Sequence, residues 1–501
     1  MRILWRIGDE GTLVYGAQIV AQGALPYRDF FEVMGPGSFY FLGLFFKLFG
    51  PNILVARAVL LLTASLTVIL LYWMTRRVYQ GPFELLPSLF YLVISFPLWP
   101  ATNHHWDSNF FGLLAIGAFF LWQDRGKWWL LALAGILAGL TSCFIQQKGL
   151  CLVAALSMVI IINSIRTIDS KPRIGVHLGI LLGSYAVVGG ILILFFYFAG
   201  GLSDLIYANL IWPLTRYENV NRVPYGYGVK TLYYVYYRQI LQEIFSVPMG
   251  MFLTHPIMLP FFLVLSLPFL LIAFGGFSFL NVSNRSKIFN KALLSYWAIG
   301  FAFWISEFHR RDIMHLIYGS PLLLVLFFVI YNYYLKNKSF LKFIGISLIA
   351  GCLILFGGLN SLIAAHPKEK IVTQRGVLYG FEGDPALKFL IEHIKPGDYV
   401  FIYPYYPMYY FLADIKNPTR YSILLYHINT KAQFNEVIKS LEEKKVEYVL
   451  WDTFVSGSNL KTWFPTYKHP SENNLYLERY FADHYKTIGI QNGFRILRRQ
   501  Q

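Results

Sequence analysis

Apolar runs separated by short polar segments fill most of the chain between residues 53 and 362. A helix needs about 20 apolar residues to cross the hydrocarbon core of a membrane, and several runs fall slightly below that length. The pattern therefore predicts an all-α polytopic membrane part with about ten transmembrane helices, whose ends are only approximately located. The runs are residues 53–74, 85–101, 108–122, 128–146, 149–165, 174–199, 254–277, 291–306, 314–334 and 340–362.

A polar segment, residues 8–40, precedes the first apolar run. Between Glu10 and Gly23 its apolar residues are spaced as in a short amphipathic helix, which we expect to lie along the membrane surface. Only eight residues precede Asp9 and they contain no spanning helix, so we expect a first transmembrane helix to be missing from this chain. The segment carries four carboxylates, Asp9, Glu10, Asp29 and Glu32, among aromatic and helix-breaking residues.

The composition changes after residue 365, because nearly half of all charged side chains lie in residues 366–501. Helical and strand patterns alternate in this region. They predict a small C-terminal α/β domain, residues 366–501, that follows a transmembrane domain, residues 1–365. The predicted helices lie near residues 384–394 and 431–444, the strands at 399–403 and 447–451, and further elements at 474–484 and 485–498.

The charge distribution predicts the orientation in the membrane. At 56% hydrophobic and 14% charged residues the chain is too apolar for an ordinary soluble protein, and its net charge of +16 is concentrated in alternate short loops. Such loops face the cytoplasm, so we expect a multi-pass protein of the inner (cytoplasmic) membrane, in contact with membrane lipids and without a nucleic-acid partner. Residues 8–40, 99–107, the turn at Lys148, residues 200–253, residues 307–313 and the C-terminal domain then lie outside. The basic loop residues are Arg76, Arg77, Arg125, Lys127, Arg166, Lys171, Arg173, Arg285, Lys287, Lys291, Lys336, Lys338 and Lys342.

A polar cluster, His104, His105 and Asp107, lies in the second outer loop. Two histidines and a carboxylate are ligands that zinc accepts, although adjacent histidines rarely point at one ion. Asp107 is alternatively a substrate-binding carboxylate, or the segment is a plain interfacial loop. The sequence requires no cofactor and leaves room for a divalent cation.

Three cations are candidates for binding phosphate. A lysine buried in a membrane needs an anionic partner, so Lys148 is one candidate, and its alternative is to extend to the interface. Arg310 and Arg311 lie on the face where the charge bias predicts few cations, which an anionic head group would explain. The alternative for both arginines is a structural ion pair with Glu307 or Asp312.

The predicted outer loops contain four short motifs: Gly8-Asp9-Glu10, Pro26-Tyr27-Arg28-Asp29, Gly35-Pro36-Gly37 and Gln147-Lys148-Gly149. Together with the C-terminal domain they resemble the GT-C glycosyltransferases of the bacterial protein-mannosyltransferase and aminoarabinose-transferase type. The resemblance implies that a sugar moves, with inversion, from a polyprenyl-phosphate-linked donor to a hydroxyl of a glycan, lipid or protein. In such families an acidic residue of the first outer loop is the base, and Asp9 is the matching position here.

The chemistry of the candidate residues agrees with this expectation. Transfer to a hydroxyl needs a carboxylate that takes its proton and cations that stabilise the departing phosphate. We expect Asp9 to be the base, and Lys148 with Arg310 or Arg311 to bind the phosphate. Neighbouring side chains diverge in a helix or a strand, so Glu10 receives a supporting role, as do the two other carboxylates, Asp29 and Asp107, near the acceptor.

Two other functions remain compatible with the sequence. One is an oligosaccharide ligase or polymerase that uses a lipid carrier, and the other is a noncatalytic transporter or scaffold. A transporter is expected to have charged or broken helices near the middle of the membrane and two related halves. Here the ionisable residues concentrate at one interface and no internal repeat is visible, which favours the enzyme.

Overall fold

The structure is a computed structural model with a helical amino-terminal part and a mixed helix and strand C-terminal part. It describes residues 3–4, 8–81, 83–165, 173–217, 221–234, 247–281, 287–335, 338–365, 369–380, 383–453, 455, 459–491 and 493–500. Four residues of the orientation prediction, Arg166, Lys171, Arg285 and Lys336, lie outside the described residues, as do residues 218–220 and 235–246 of the predicted outer segment.

Every predicted apolar run contains helix, although the run 85–101 is helical only over Leu86–Ser95. Within the described residues, five segments are long and apolar enough to cross a membrane: Ile53–Val78, Gln146–Ile165, Ile174–Phe198, Thr254–Ala273 and Ser339–Ala365. Further apolar helices are shorter, so the number of spans stays a prediction. The helices are α1 (Gly8–Ala21), α2 (Pro36–Phe49), α3 (Ile53–Val78), α4 (Leu86–Ser95), α5 (His104–Arg125), α6 (Trp128–Phe144), α7 (Gln146–Ile165), α8 (Ile174–Phe198), α9 (Leu202–Ile206), α10 (Val229–Thr231), α11 (Val247–Asn281), α12 (Lys287–Ile305), α13 (Ile313–Tyr318), α14 (Pro321–Tyr334) and α15 (Ser339–Ala365), and π-helical turns follow α9 at Tyr207–Ile211 and Pro213–Tyr217.

The run 314–334, predicted as one helix, is two. The helix α13 ends before Gly319, and α14 begins at Pro321. Proline has no backbone N–H to continue a helix but is well suited to its first turn. The break therefore follows from the sequence around Pro321.

Small residues allow close packing in the bundle. On α6, a Cβ added at Gly135 would lie 2.4 Å from the carbonyl oxygen of Leu181, and one at Gly139 would lie 2.8 Å from the Val188 Cβ. The spacing of four places both glycines on the α6 face that meets α8. Backbones that approach this closely gain packing contacts that do not depend on water, as membrane helices require.

The prediction of a helix after Glu10 is correct, and its expected position along the membrane surface stays a prediction. The helix α1 is buried from Glu10 to Gln18. It packs against α2 and against the C-terminal helix at Met408–Leu412. Protein therefore covers α1, and its amphipathic pattern did not reveal what covers it.

The C-terminal part contains the predicted alternation of helices and strands. A hairpin of β1 (Glu369–Thr373) and β2 (Gly376–Gly380) precedes a four-stranded sheet in the order β3-β4-β6-β5. In that sheet β3 and β4 are parallel and the other pairs are antiparallel. The remaining elements are β3 (Val400–Tyr403), β4 (Tyr448–Asp452), β5 (Tyr485–Gln491), β6 (Phe494–Arg499), α16 (Pro385–His393), α17 (Met408–Leu412), α18 (Lys431–Glu443), α19 (Leu460–Trp463) and α20 (Tyr476–His484), with a 3-10 turn at Glu472–Asn474.

The C-terminal part packs directly on the first loop and on α2. The rings of Phe46 and Phe411 are stacked with centroids 5.7 Å apart, and those of Tyr15 and Tyr410 are 5.1 Å apart. The backbone N–H of Phe31 donates to the Arg420 carbonyl at 2.7 Å. One apolar core is thus shared by both parts. The domain boundary at residue 366, which lies outside the described residues, stays a prediction.

The predicted outer loops meet at one end of the bundle, which we call the site end. Glu10 of the first loop contacts the backbone of Thr102, and Lys148 pairs with Glu307. At the opposite end the Arg77 guanidinium pairs with Asp124 at 2.5 Å. The assignment of the loops to the two sides of a membrane stays a prediction, as does which end faces the cytoplasm.

Candidate functional site

Asp9 lies in the first turn of α1, at the site end. Its side chain is partly exposed, and its Oδ1 accepts a hydrogen bond of 2.6 Å from the Tyr405 hydroxyl. Tyr405 follows strand β3 in the C-terminal part. The predicted base is therefore accessible to a substrate and is held from a region distant in sequence.

Glu10 points away from Asp9, as adjacent helical side chains do. Its carboxylate pairs with the Arg57 guanidinium at 2.7 Å, and both side chains are buried. The backbone N–H of Thr102 donates to Glu10 Oε1 at 3.1 Å. Glu10 thus joins α1 to α3 and to the loop before α5, and its supporting role in catalysis stays a prediction.

Glu32 is a feature that sequence reasoning left without a role. The residue is 3% exposed, and its Oε1 has no hydrogen-bond partner among the described residues. Burial, and secondly the nearby charge of Asp9, raise the pKa of Glu32 to about 8. The carboxyl is therefore neutral at pH 7 and lies close enough to Asp9 to sense its charge.

Asp29 is exposed and belongs to a surface ion pair. It contacts the Arg28 Nε at 2.7 Å and accepts a hydrogen bond of 2.7 Å from the Leu25 N–H. The bond from Arg28 lowers the pKa of Asp29. Asp29 also lines a cavity of about 490 Å³ between α1 and the C-terminal part, with Tyr15 and Asn417 on its wall.

Lys148 lies at the start of α7 and is fully buried. Its Nζ is 2.5 Å from Glu307 Oε1 and donates to Asn109 Oδ1 at 2.6 Å and to Ser108 Oγ at 3.3 Å. The partner that a buried lysine needs is thus a protein carboxylate. The phosphate-binding role of Lys148 stays a prediction, and in this geometry it would require a phosphate to replace Glu307.

Four histidines surround this ion pair. The ring centroids of His104 and His105 are 4.4 Å apart, those of His105 and His315 are 4.8 Å apart, and those of His309 and His315 are 5.2 Å apart. The Nδ1 of His105 is 3.5 Å from Glu307 Oε2. Burial first, and the neighbouring His315 second, lower the pKa of His309 to about 4, so its ring is neutral at pH 7.

The metal hypothesis for His104, His105 and Asp107 finds no support in this geometry. No group of three or more His, Cys, Asp or Glu side chains in the described ranges is arranged to hold an ion. Asp107 instead bonds to the Thr63 side chain of α3. Its substrate-binding role and the allowance for a divalent cation stay predictions.

The two arginines of the loop after α12 differ. Arg310 is 2.6 Å from Asp312 and donates to Asn221 Oδ1 at 2.5 Å, which is the structural ion pair expected as an alternative. Asp312 also caps α13 by accepting from the His315 N–H. Arg311 is partly exposed and forms no ion pair with a described carboxylate. Of the three predicted phosphate ligands, Arg311 is thus the one without a carboxylate partner in the described structure.

Comparisons with known proteins agree with this architecture. Residues 34–191 match the family model of dolichyl-phosphate-mannose-protein mannosyltransferase. The oligosaccharyltransferase AglB from Archaeoglobus fulgidus, solved with an inhibitory peptide and a dolichol-phosphate, aligns with a TM-score of 0.52 and 11% identity over 93% of this chain and 68% of that chain. The chain therefore shares the fold of this oligosaccharyltransferase. The resemblance inferred from the sequence motifs is thereby confirmed.

Other comparisons are weaker. The chain aligns with ArnT from Cupriavidus metallidurans, bound to undecaprenyl phosphate, with a TM-score of 0.40 and 11% identity over 99% of this chain and 94% of that chain. A second structure of the Archaeoglobus fulgidus oligosaccharyltransferase, with Zn and sulfate, gives a TM-score of 0.47 and 14% identity over 91% and 65% of the two chains. A search of curated proteins finds no significant match.

The family match and the candidate site overlap only in part. The matched residues include Asp107 and Lys148 but neither Asp9 nor Glu32. The placement of Asp9 beside Glu32 and Tyr405 therefore comes from the structure of this chain.

Proposed function

We propose that this chain is a membrane glycosyltransferase that moves a sugar from a polyprenyl-phosphate-linked donor to an acceptor hydroxyl, with Asp9 as the base. The dolichol-phosphate bound to AglB supports a lipid-phosphate carrier. The charge pattern of the loops supports a reaction at the outer face of the cytoplasmic membrane.

One observation carries the assignment of Asp9. Among the four carboxylates of residues 8–40, Glu10 pairs with Arg57, Asp29 pairs with Arg28, and Glu32 is buried and neutral. Asp9 is partly exposed and forms no ion pair with a described cation. It is thus the carboxylate of this loop that an acceptor can reach and that no described cation pairs with.

The reaction is a single displacement at the anomeric carbon. The acceptor oxygen forms a bond to that carbon while its proton moves to Asp9. The bond from the anomeric carbon to the phosphate oxygen breaks, and the lipid phosphate leaves with the electron pair, so that the configuration inverts. A cation near the leaving oxygen stabilises the developing charge, and Arg311 is the residue that we assign to it.

The likeness to AglB favours a second function, namely transfer of a whole glycan from the lipid carrier. Both functions need the same base and the same phosphate contacts. They differ in the lipid-linked species that is consumed, which is one sugar in the first case and an oligosaccharide in the second.

A gene-deletion strain complemented with variants tests both. The wild-type chain and Asp483→Asn, an exposed aspartate of α20, should restore the glycosylated product seen by mass spectrometry. Asp9→Asn should leave the lipid-linked donor to accumulate, and the mass of that donor identifies one sugar or a whole glycan. Restoration of the product by Asp9→Asn at the wild-type level would exclude Asp9 as the base.

A further inference from the structure

The segment Pro404–Met408 of the C-terminal part lies against the first turn of α1. It leaves β3, whose four residues are all buried. Its Tyr405 hydroxyl donates to Asp9 Oδ1 at 2.6 Å. The Thr12 hydroxyl lies 3.5 Å from the hydroxyl oxygen of Tyr405. Desolvation and the Asp9 charge hold the pKa of Tyr405 well above its usual value, so the hydroxyl keeps the proton that it donates.

Two glycines of α1 make this approach possible. A Cβ added at Gly8 would lie 2.2 Å from Cε1 of Tyr405, and one added at Gly11 would lie 2.3 Å from the backbone nitrogen of Met408. Contacts below 3.0 Å force one side to move. The Tyr405 ring therefore sits over Asp9 only because the facing turn of α1 lacks side chains at these positions.

The C-terminal part holds this segment in place from its other side. The Tyr409 hydroxyl donates to Asp384 at 2.7 Å, and the N–H of Ile402 donates to the Tyr410 hydroxyl at 2.8 Å. Tyr409 and Tyr410 are both buried. Tyr405 is thus anchored on a rigid element, which is what positioning a reacting group requires.

We infer that Tyr405 is a positioning residue for sugar transfer, which fixes one oxygen of Asp9 so that the other faces the acceptor hydroxyl. The inference rests on the proposed function, and it assigns to the C-terminal part a share in the active site. Glu32 supports the same arrangement, because its neutral carboxyl places no second negative charge beside Asp9.

Tyr405→Phe removes the hydroxyl and keeps the ring. A hydrogen bond to a charged group affects a rate by about 10-fold to 100-fold, so kcat of the full chain should fall by that factor. KM for donor and acceptor should stay within about twofold, because Tyr405 acts on the base and not on the substrates. A variant with wild-type kcat would overturn the inference.

Tyr480→Phe is the matched control, because it also removes a hydrogen bond from a tyrosine to a carboxylate, that of Glu442, in the C-terminal part. It should lower the melting temperature and leave kcat unchanged. An equal loss of kcat in both variants would mean that Tyr405 acts only through general stability, which would also overturn the inference.

Gly8→Ala tests the geometry while keeping the Tyr405 hydroxyl. The added methyl group displaces the ring, so kcat should fall about as much as in Tyr405→Phe. Gly179→Ala on α8, where an added Cβ meets no atom within 4 Å, should have no such effect. Wild-type kcat in Gly8→Ala would contradict the inferred contact.

Failure of the inference and failure of the proposed function give different results. If Asp9→Asn is inactive and Tyr405→Phe is fully active, only the role of Tyr405 is wrong. If Asp9→Asn transfers sugar at the wild-type rate, the proposed function of Asp9 is wrong whatever Tyr405→Phe does.

Discussion

Two groups of ionisable side chains at the site end differ in whether a carboxylate is paired with a cation. Around Lys148 the charge is matched by Glu307, and amide and hydroxyl groups fill the other directions. Around Asp9 one neighbouring carboxyl, Glu32, keeps a proton and an oxygen without a described partner, and Asp9 itself accepts a hydrogen bond from a tyrosine hydroxyl and pairs with no cation among the described residues. A buried pair of opposite charges stabilises the bundle, whereas a carboxylate without a cation partner can exchange protons with a substrate.

The largest effect should come from breaking the buried ion pair of Lys148 and Glu307. Glu307→Gln leaves the Lys148 ammonium buried without a carboxylate, which should cost about 3–5 kcal/mol in the free energy of unfolding. Thermal or denaturant unfolding of the solubilised chain measures this. The double variant Lys148→Met with Glu307→Leu should recover most of the loss, and a single variant as stable as wild type would show that the pair does not stabilise the bundle.

Glu32, the protonated carboxyl beside Asp9, should make the folding stability depend on pH. The raised pKa of Glu32 means that the unfolded chain loses this proton near pH 4.5 and the folded chain only near 8, so folding stability falls as pH rises through that window. Glu32→Gln removes the effect. Its stability relative to wild type should increase by about 4 kcal/mol between pH 4.5 and pH 8.5.

Melting curves of Glu32→Gln and wild type at several pH values provide the measurement. Glu443→Gln, an exposed residue of α18, is the control and should follow wild type at each pH. A constant difference between Glu32→Gln and wild type from pH 4.5 to pH 8.5 would show that Glu32 is ionised in the folded chain.

Arg310 and Arg311, in the loop after α12, differ in the same way, because Arg310 is paired with a carboxylate and Arg311 has no carboxylate partner in the described part of the chain. Arg311→Gln should weaken binding of a polyprenyl phosphate about tenfold and leave the melting temperature unchanged, because one charged contact to the phosphate is lost. Arg310→Gln should lower the melting temperature and leave phosphate binding unchanged, since Arg310 is paired with Asp312. Equal effects of both variants on phosphate binding would contradict the assignment of Arg311, and not Arg310, as the phosphate ligand.

The smallest effect is expected on the exposed surface. Arg28→Gln breaks an ion pair whose two side chains are 44% and 36% exposed. Solvent screens such pairs, so the melting temperature should stay within about 2 °C of wild type. A larger loss would indicate that the loop 25–29 depends on this pair.

The sequence predicted the helices well because spanning helices are specified locally, by runs of apolar residues. It also predicted that Lys148 needs an anionic partner, but the partner, Glu307, is distant in sequence. The burial of α1 and the environment of Glu32 depend on a C-terminal segment whose Tyr405 is 396 residues from Asp9. Such docking contacts carry no local pattern, and this is why Glu32 and Tyr405 had no predicted role.

The most direct test of the account is the rate of sugar transfer by purified Asp9→Asn, measured beside its affinity for the lipid-linked donor. The account predicts that kcat falls about a thousandfold, as expected when a general base is lost, while donor affinity and melting temperature match wild type. An Asp9→Asn chain that transfers sugar at the wild-type rate would contradict it.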